Sequence, residues 1–232
     1  MIKNKKIMII TDSVSMPRPG ILYEDTWISL LKNNFPSFDL MDRSGRGSTS
    51  KRLVTEGGGG ADLLETYIPA VVILQIGITD CAPRLFKKHG FENFLMKRII
   101  PGRFIPDYIK YVKRKRGRNP EITEIPPQEY RRNISNFAER CEKINCRLLI
   151  IKILKPTSLY LSKSPHVKQN IDLYNRLTVE IADEYSCITL LNPLEDIESI
   201  DHLCVDELHI NKEGHRIYYK KISDSLSFIC PV

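Results

Sequence analysis

Several features are missing from this 232-residue sequence, and each absence narrows its class. No stretch approaches the roughly 18 consecutive apolar residues that a membrane-spanning helix needs. The N-terminus, Met1-Ile2-Lys3-Asn4-Lys5-Lys6, is basic like the start of a secretory leader. However, the apolar run behind it is only about five residues long, against about 7–15 for a leader core, and Asp12 follows at once where a small-residue cleavage site would be needed. The run reads as a first strand and the protein as cytoplasmic. A second cysteine pair at zinc-finger spacing, to partner Cys141 and Cys146, is missing too. Cys81, Cys141, Cys146, Cys187, Cys204 and Cys230 are scattered beside apolar residues, so reduced, partly buried thiols are expected and a structural zinc site is not. There is no internal repeat and no domain linker. The chain is long enough for a full core and reads as one domain, 1–232.

What is present begins with alternation. Ile7–Ile10, Phe38–Met41, Ala70–Ile76, Arg147–Leu154 and Cys187–Leu191 are short apolar runs rich in β-branched residues, the pattern of buried strands. Helix-length amphipathic segments separate most of them. Glu24–Asn33 groups Trp27, Leu30 and Leu31; Gln128–Ile144 groups Tyr130, Ile134, Phe137, Cys141 and Ile144. Ile171–Tyr185 groups Leu173, Leu177, Ile181 and Tyr185, and Lys212–Phe228 groups Ile217, Ile222 and Leu226. This alternation predicts an α/β fold, a mostly parallel sheet with helices on both faces.

The stretch from about 84 to 127 departs from it. It has no clear strand, is broken by Pro101, Pro106, Pro120, Pro126 and Pro127, and reads as an inserted segment with helices over Phe91–Ile99 and Ile105–Arg116. It also carries much of the formal net charge of +7, with Arg84, Lys87, Lys88, Lys97, Arg98 and Arg103 before the dense run Lys113–Arg118. Such a patch is a solvated surface or a site for an anionic substrate, membrane surface or nucleic acid. Weak, salt-sensitive contact with anionic membranes is expected. Specific nucleic-acid binding is not, because no recognition motif accompanies the charge.

Four short segments carry chemistry. Thr11-Asp12-Ser13-Val14-Ser15 ends the first strand, where open α/β sheets place ligands and where Ser13 would be accessible. Such a turn is equally an ordinary helix cap. Asp42–Ser50 follows the second strand, and its glycines permit close backbone approach. The later run Gly57–Gly60 lacks the lysine and the preceding strand of a phosphate loop and reads as a hinge or tight turn. Gln75–Arg84 sets a hydroxyl (Thr79), a carboxylate (Asp80) and a guanidinium (Arg84) at the end of the third strand. With Arg18, Arg84 could hold a carboxylate or phosphate. Asp206-Glu207-Leu208-His209 offers a carboxylate to orient an imidazole, and that imidazole could take a serine proton. His202, Cys204, Asp206 and His209 could alternatively ligate a metal.

In order and spacing these four segments resemble the signature blocks of the SGNH/GDSL hydrolase family. Thr11-Asp12-Ser13 is similar to its Gly-Asp-Ser block, Ser44–Thr49 to its second block, and Gly77-Ile78-Thr79-Asp80 to its Gly-x-Asn-Asp block, while Asp206-x-x-His209 matches its last block. The resemblance implies a three-layer α/β/α sandwich with a five-stranded parallel sheet in the order 2-1-3-4-5. It implies a serine esterase that needs no cofactor and no metal and acts on a small-molecule or glycan ester. Ser13, Asp206 and His209 would be catalytic. The amides of Ser13 and Gly47, with Thr79, would form the oxyanion site, and Arg18, Asp80 and Arg84 would contact substrate. Two positions depart from the pattern: Thr11 replaces a glycine, and Thr79 replaces the asparagine whose amide would be the third oxyanion donor. An acyltransferase, or a non-catalytic module of the same fold binding an anionic glycan or lipid, is the alternative.

Overall fold

The structure is a computed structural model that describes residues 6–54, 63–85, 91–116 and 122–229. The glycine run Gly57–Gly60, the cations Lys87, Lys88 and Arg118, and Cys230 lie outside the described residues. Five strands form one parallel sheet: β1 (Lys6–Thr11), β2 (Asp39–Asp42), β3 (Val71–Gln75), β4 (Arg147–Ile151) and β5 (Ile188–Leu191), in the spatial order β2-β1-β3-β4-β5. The helices are α1 (Trp27–Asn34), α2 (Leu64–Tyr67), α3 (Ile78–Cys81), α4 (Phe91–Arg98), α5 (Ile105–Arg116), α6 (Pro127–Lys143), α7 (Ser158–Lys163), α8 (Val167–Glu184) and α9 (Lys212–Ile229).

The sheet order follows from where the apolar runs sit and how parallel strands must connect. Right-handed crossovers put the helix of a connection on one face when the chain moves one way along the sheet, and on the other face when it reverses. The step from β1 to β2 runs opposite to the steps from β3 through β5. Accordingly α1 packs against α9, while α6 packs against α8. Covered on both faces, the inner strands are uniformly buried: Ile7 to Ile10, Val71 to Leu74 and Leu148 to Ile151 are each at most 3% exposed. Burying one such side chain contributes about 1.5–3 kcal/mol, so these runs anchor the core.

Local signals set the helix starts. Thr26 caps α1 through its hydroxyl, which accepts from the Ser29 amide at 3.3 Å. Pro127 occupies the first turn of α6, where its missing N–H costs nothing. On α8 the deepest positions are Ile171, Tyr174, Thr178 and Ile181, while Leu173, Leu177 and Tyr185 are only partly buried. The α8 axis is therefore rotated from the stripe its leucines suggest. Polar contacts lie within the buried stripe: the Tyr174 hydroxyl donates to the Ile125 carbonyl, and the Tyr130 and Thr178 hydroxyls meet at 3.1 Å.

The strand order reverses between β1 and β3. Thr11 and Gln75, their last residues, are in register, so both chains leave the sheet level with each other. This is the switch point at which an open parallel sheet holds its ligand.

Candidate active site

Ser13 leaves β1 in a tight 3-10 turn, Ser13–Ser15. Asp12 caps it, its carboxylate accepting from the Val14 amide at 2.9 Å. Asp12 is fully buried. Loss of hydration pushes its pKa up to about 7; the Val14 amide and Arg18 oppose the shift, and the nearby Asp80 charge adds to it. Ser13 itself is half-buried, with its hydroxyl 3.1 Å from His209 Nε2.

His209 arrives from the other end of the chain in a loop built around Asp206. One carboxylate oxygen of Asp206 accepts from the amides of Leu208 at 3.0 Å and His209 at 2.9 Å. The two oxygens lie 2.9 and 2.8 Å from His209 Nδ1. A carboxylate only accepts, so Nδ1 carries the proton and Nε2 is left bare to accept from Ser13. Burial pushes the Asp206 carboxyl up, but the two amides and the imidazole together hold it below the ordinary range. Burial pushes His209 below the usual imidazole value; Asp206 works against this and Arg18 adds to it.

The loop is fixed from both sides. Thr157, which caps α7, donates to the Glu207 carbonyl at 2.7 Å. Val205 N donates to the His209 carbonyl at 2.8 Å, and Asn211 caps α9 by accepting from Glu213 and Gly214 at 3.0 and 3.1 Å. Gly214 is obligatory here: a Cβ would stand 2.9 Å from the Leu203 carbonyl oxygen and 2.9 Å from Ile210 Cβ.

The other expected site residues are placed as follows. Arg18 lies inside the constellation: it donates to the Ser13 carbonyl at 3.2 Å and also to His209 Nε2, sharing that nitrogen with the Ser13 hydroxyl. Gly47 sits in a loop tied to the end of β1 by Gly45 N to Thr11 O at 3.0 Å and by the Thr11 and Ser44 hydroxyls at 2.7 Å. It takes φ +64, the left-handed region that favours glycine, with nothing within 4 Å of where a Cβ would point. Thr79 lies in α3 rather than in a loop and is buried. Arg84 reaches the Thr79 carbonyl at 3.4 Å and Glu124 at 3.7 Å.

Asp80, expected against substrate, is fully buried instead. Its carboxylate accepts from the Ser50 amide at 2.8 Å and from the Ser50 hydroxyl, and that hydroxyl in turn accepts from Asn133 at 3.1 Å. It ties the second loop and α6 to the third, because a carboxylate withdrawn from water must be hydrogen-bonded. Burial raises it to about 6 against the pull of Ser50. Sequence spacing could not find Ser50 and Asn133, which lie 30 and 83 residues from their partners. Among the described residues no three His, Cys, Asp or Glu side chains converge to hold a metal ion, so His202, Cys204, Asp206 and His209 do not form a ligand set. No described helix is long and apolar enough to cross a membrane.

A serine hydroxyl, an imidazole and a carboxylate stand in line at the switch point, and the fold around them is that of the SGNH/GDSL hydrolases. The structure is similar to that of TesA, with TM-score 0.62 and 16% identity over 97% of this chain and 99% of that one. It is similar to a G-D-S-L family lipolytic protein from Desulfitobacterium hafniense, with TM-score 0.61 and 17% identity over 95% and 99% of the two chains. It is also similar to the esterase EstA from Pseudoalteromonas sp., a structure inhibited by monoethylphosphonate, with TM-score 0.60 and 17% identity over 97% and 98%. By sequence, no protein-family model and no curated protein matches the chain.

Proposed function

We propose that this chain hydrolyses small acyl esters through an acyl-serine intermediate. Ser13 Oγ attacks the ester carbonyl carbon while His209 Nε2 takes the hydroxyl proton, and Asp206 stabilises the imidazolium that forms. The carbonyl oxygen becomes an oxyanion, for which the amides of Ser13 and Gly47 and the Thr79 hydroxyl are the donors. Collapse breaks the bond to the leaving alcohol, which receives the proton from His209. Water then attacks the acyl-Ser13 carbonyl, with His209 as base, and the acid leaves with Ser13 restored. What carries this assignment is the relay from Ser13 Oγ to His209 Nε2 at 3.1 Å and from His209 Nδ1 to Asp206 at 2.8 Å.

Arg18 sharpens the substrate class. While it donates to Nε2 it competes with the Ser13 hydroxyl. An anionic group on the substrate would draw the guanidinium away and leave Nε2 to the nucleophile. We therefore infer an ester that carries a carboxylate or phosphate, with a carbohydrate as the acceptor side by analogy with the similarly folded acetyl xylan esterase AlAXEase. A fluorophosphonate probe tests the mechanism. It should add to the wild-type protein at Ser13, located by peptide mass, and should not add to Ser13→Ala; an adduct on another residue would refute the assignment.

A further inference from the structure

We propose that the helical segment 91–116 is a seat for anionic lipid bilayers, with apolar side chains entering the headgroup region and cations around them. It rests on exposure as well as charge. Residues 91–116 hold eight lysines and arginines against two acidic residues, nearly all of the net charge of +7. The same stretch exposes five large apolar side chains: Phe91 at 73%, Ile99 at 61%, Tyr111 at 58%, Phe94 at 54% and Phe104 at 49%. Scattered exposed hydrophobes are normal, but a concentration of them within one short basic segment is not.

The helices place these groups outward in an ordered way. On α4, Leu95 and Met96 are half-buried, while Phe91, Phe94 and Arg98, spaced three and four apart, are exposed along one stripe. On α5, Ile105, Tyr108 and Ile109 are half-buried and Val112 is buried, which uses up its apolar face. Lys110, Tyr111 and Arg114 are left exposed. Arg103 stacks on Phe104 at 4.7 Å, a pairing that lets an apolar ring and a cation share one interface. Apolar side chains interleaved with arginine and lysine are the composition of segments that lie in the plane of a membrane interface, and the cations select anionic lipid.

The roots of the segment join close to the site: Arg84 N donates to the Ile122 carbonyl at 3.3 Å, and Glu124 N donates to the Asp80 carbonyl at 3.1 Å. Charge alone predicts adsorption that disappears at physiological salt. The exposed phenylalanines predict that part of the binding survives.

Flotation of the full chain with phosphatidylcholine vesicles, with and without phosphatidylglycerol, at low and physiological salt, tests this. Trp27, the sole tryptophan, is fully buried, so Phe94→Trp supplies a clean depth reporter. The proposal predicts phosphatidylglycerol-dependent binding that persists in part at physiological salt. It predicts quenching of the Phe94→Trp emission by brominated acyl chains. It also predicts about tenfold weaker binding in both Phe91→Ser/Phe94→Ser and Lys110→Gln/Arg114→Gln, with thermal melts unchanged. Equal binding to neutral vesicles, binding without quenching, loss of all binding at physiological salt, or tighter binding to a single-stranded oligonucleotide than to vesicles would each overturn it.

Discussion

Replacing Asp12 by asparagine should make the protein more stable as pH rises. Asp12 is fully buried beside Ser13, and burial moves its carboxyl from 3.8 to about 7. Between those values the folded chain keeps the proton that the unfolded chain has lost. The stability tied to that proton is complete below about pH 4 and is lost as pH rises through about 7. From pH 5 to pH 7 the loss covers about two units, or about 3 kcal/mol at 1.36 kcal/mol per unit, and it then levels off. Asparagine never ionises, occupies nearly the same volume and keeps an oxygen for the Val14 amide. The advantage of Asp12→Asn over wild type should therefore grow by about 3 kcal/mol between pH 5 and pH 8. In a chain of this size that is roughly 6–12 °C in Tm. Asp80 is also raised and titrates in the same direction, while buried His215, lowered to about 4, titrates in the opposite one. Both are present in each protein, so they largely cancel in the comparison. Differential scanning calorimetry of the two proteins at pH 5 and pH 8 measures it. If the Tm difference is the same at both values, Asp12 does not hold a proton in the folded state and the burial argument fails.

Arg18→Gln should move the acid limb of the kcat/KM profile to higher pH, because the Arg18 charge helps to hold His209 low. The same change should raise KM for an anionic ester more than for a neutral one; unchanged limbs and equal KM values would remove Arg18 from the site. Thr79→Asn should raise kcat on an acetyl ester by up to about a hundredfold, if a longer amide completes the oxyanion site where the Thr79 hydroxyl falls short. A folded Thr79→Asn variant that loses activity would show that Thr79 itself fits the substrate.

The strands were legible because parallel strands covered on both faces must be continuous apolar runs; Ile7–Ile10 and Val71–Leu74 can be little else. The order 2-1-3-4-5 came with the resemblance, and the structure has it. Ser13 stood out because it follows an apolar strand directly, and Asp206 and His209 because their three-residue spacing precedes the last amphipathic helix. Contacts made across the fold were not legible. Nothing near Arg18 in sequence says that its side chain turns back onto His209, 191 residues away. Asp80 reads as a site carboxylate until its distant partner Ser50, itself held by Asn133, is seen to bind it. The short helices α2, α3 and α7 escaped because four to six residues hold too little periodicity to mark them. The deep tyrosines Tyr174 and Tyr218 escaped because their rings serve the core while their hydroxyls make the residues look like surface.

If the proposed mechanism holds, Ser13 and His209 act as one catalytic unit. Turnover of a short-chain acyl ester by wild type, Ser13→Ala, His209→Ala and the double variant tests it most directly. Each single change should lower kcat/KM by at least about a thousandfold, and the double variant should be scarcely worse than either, since the two residues share one step. Ser13→Ala hydrolysing the ester at the wild-type rate would contradict it.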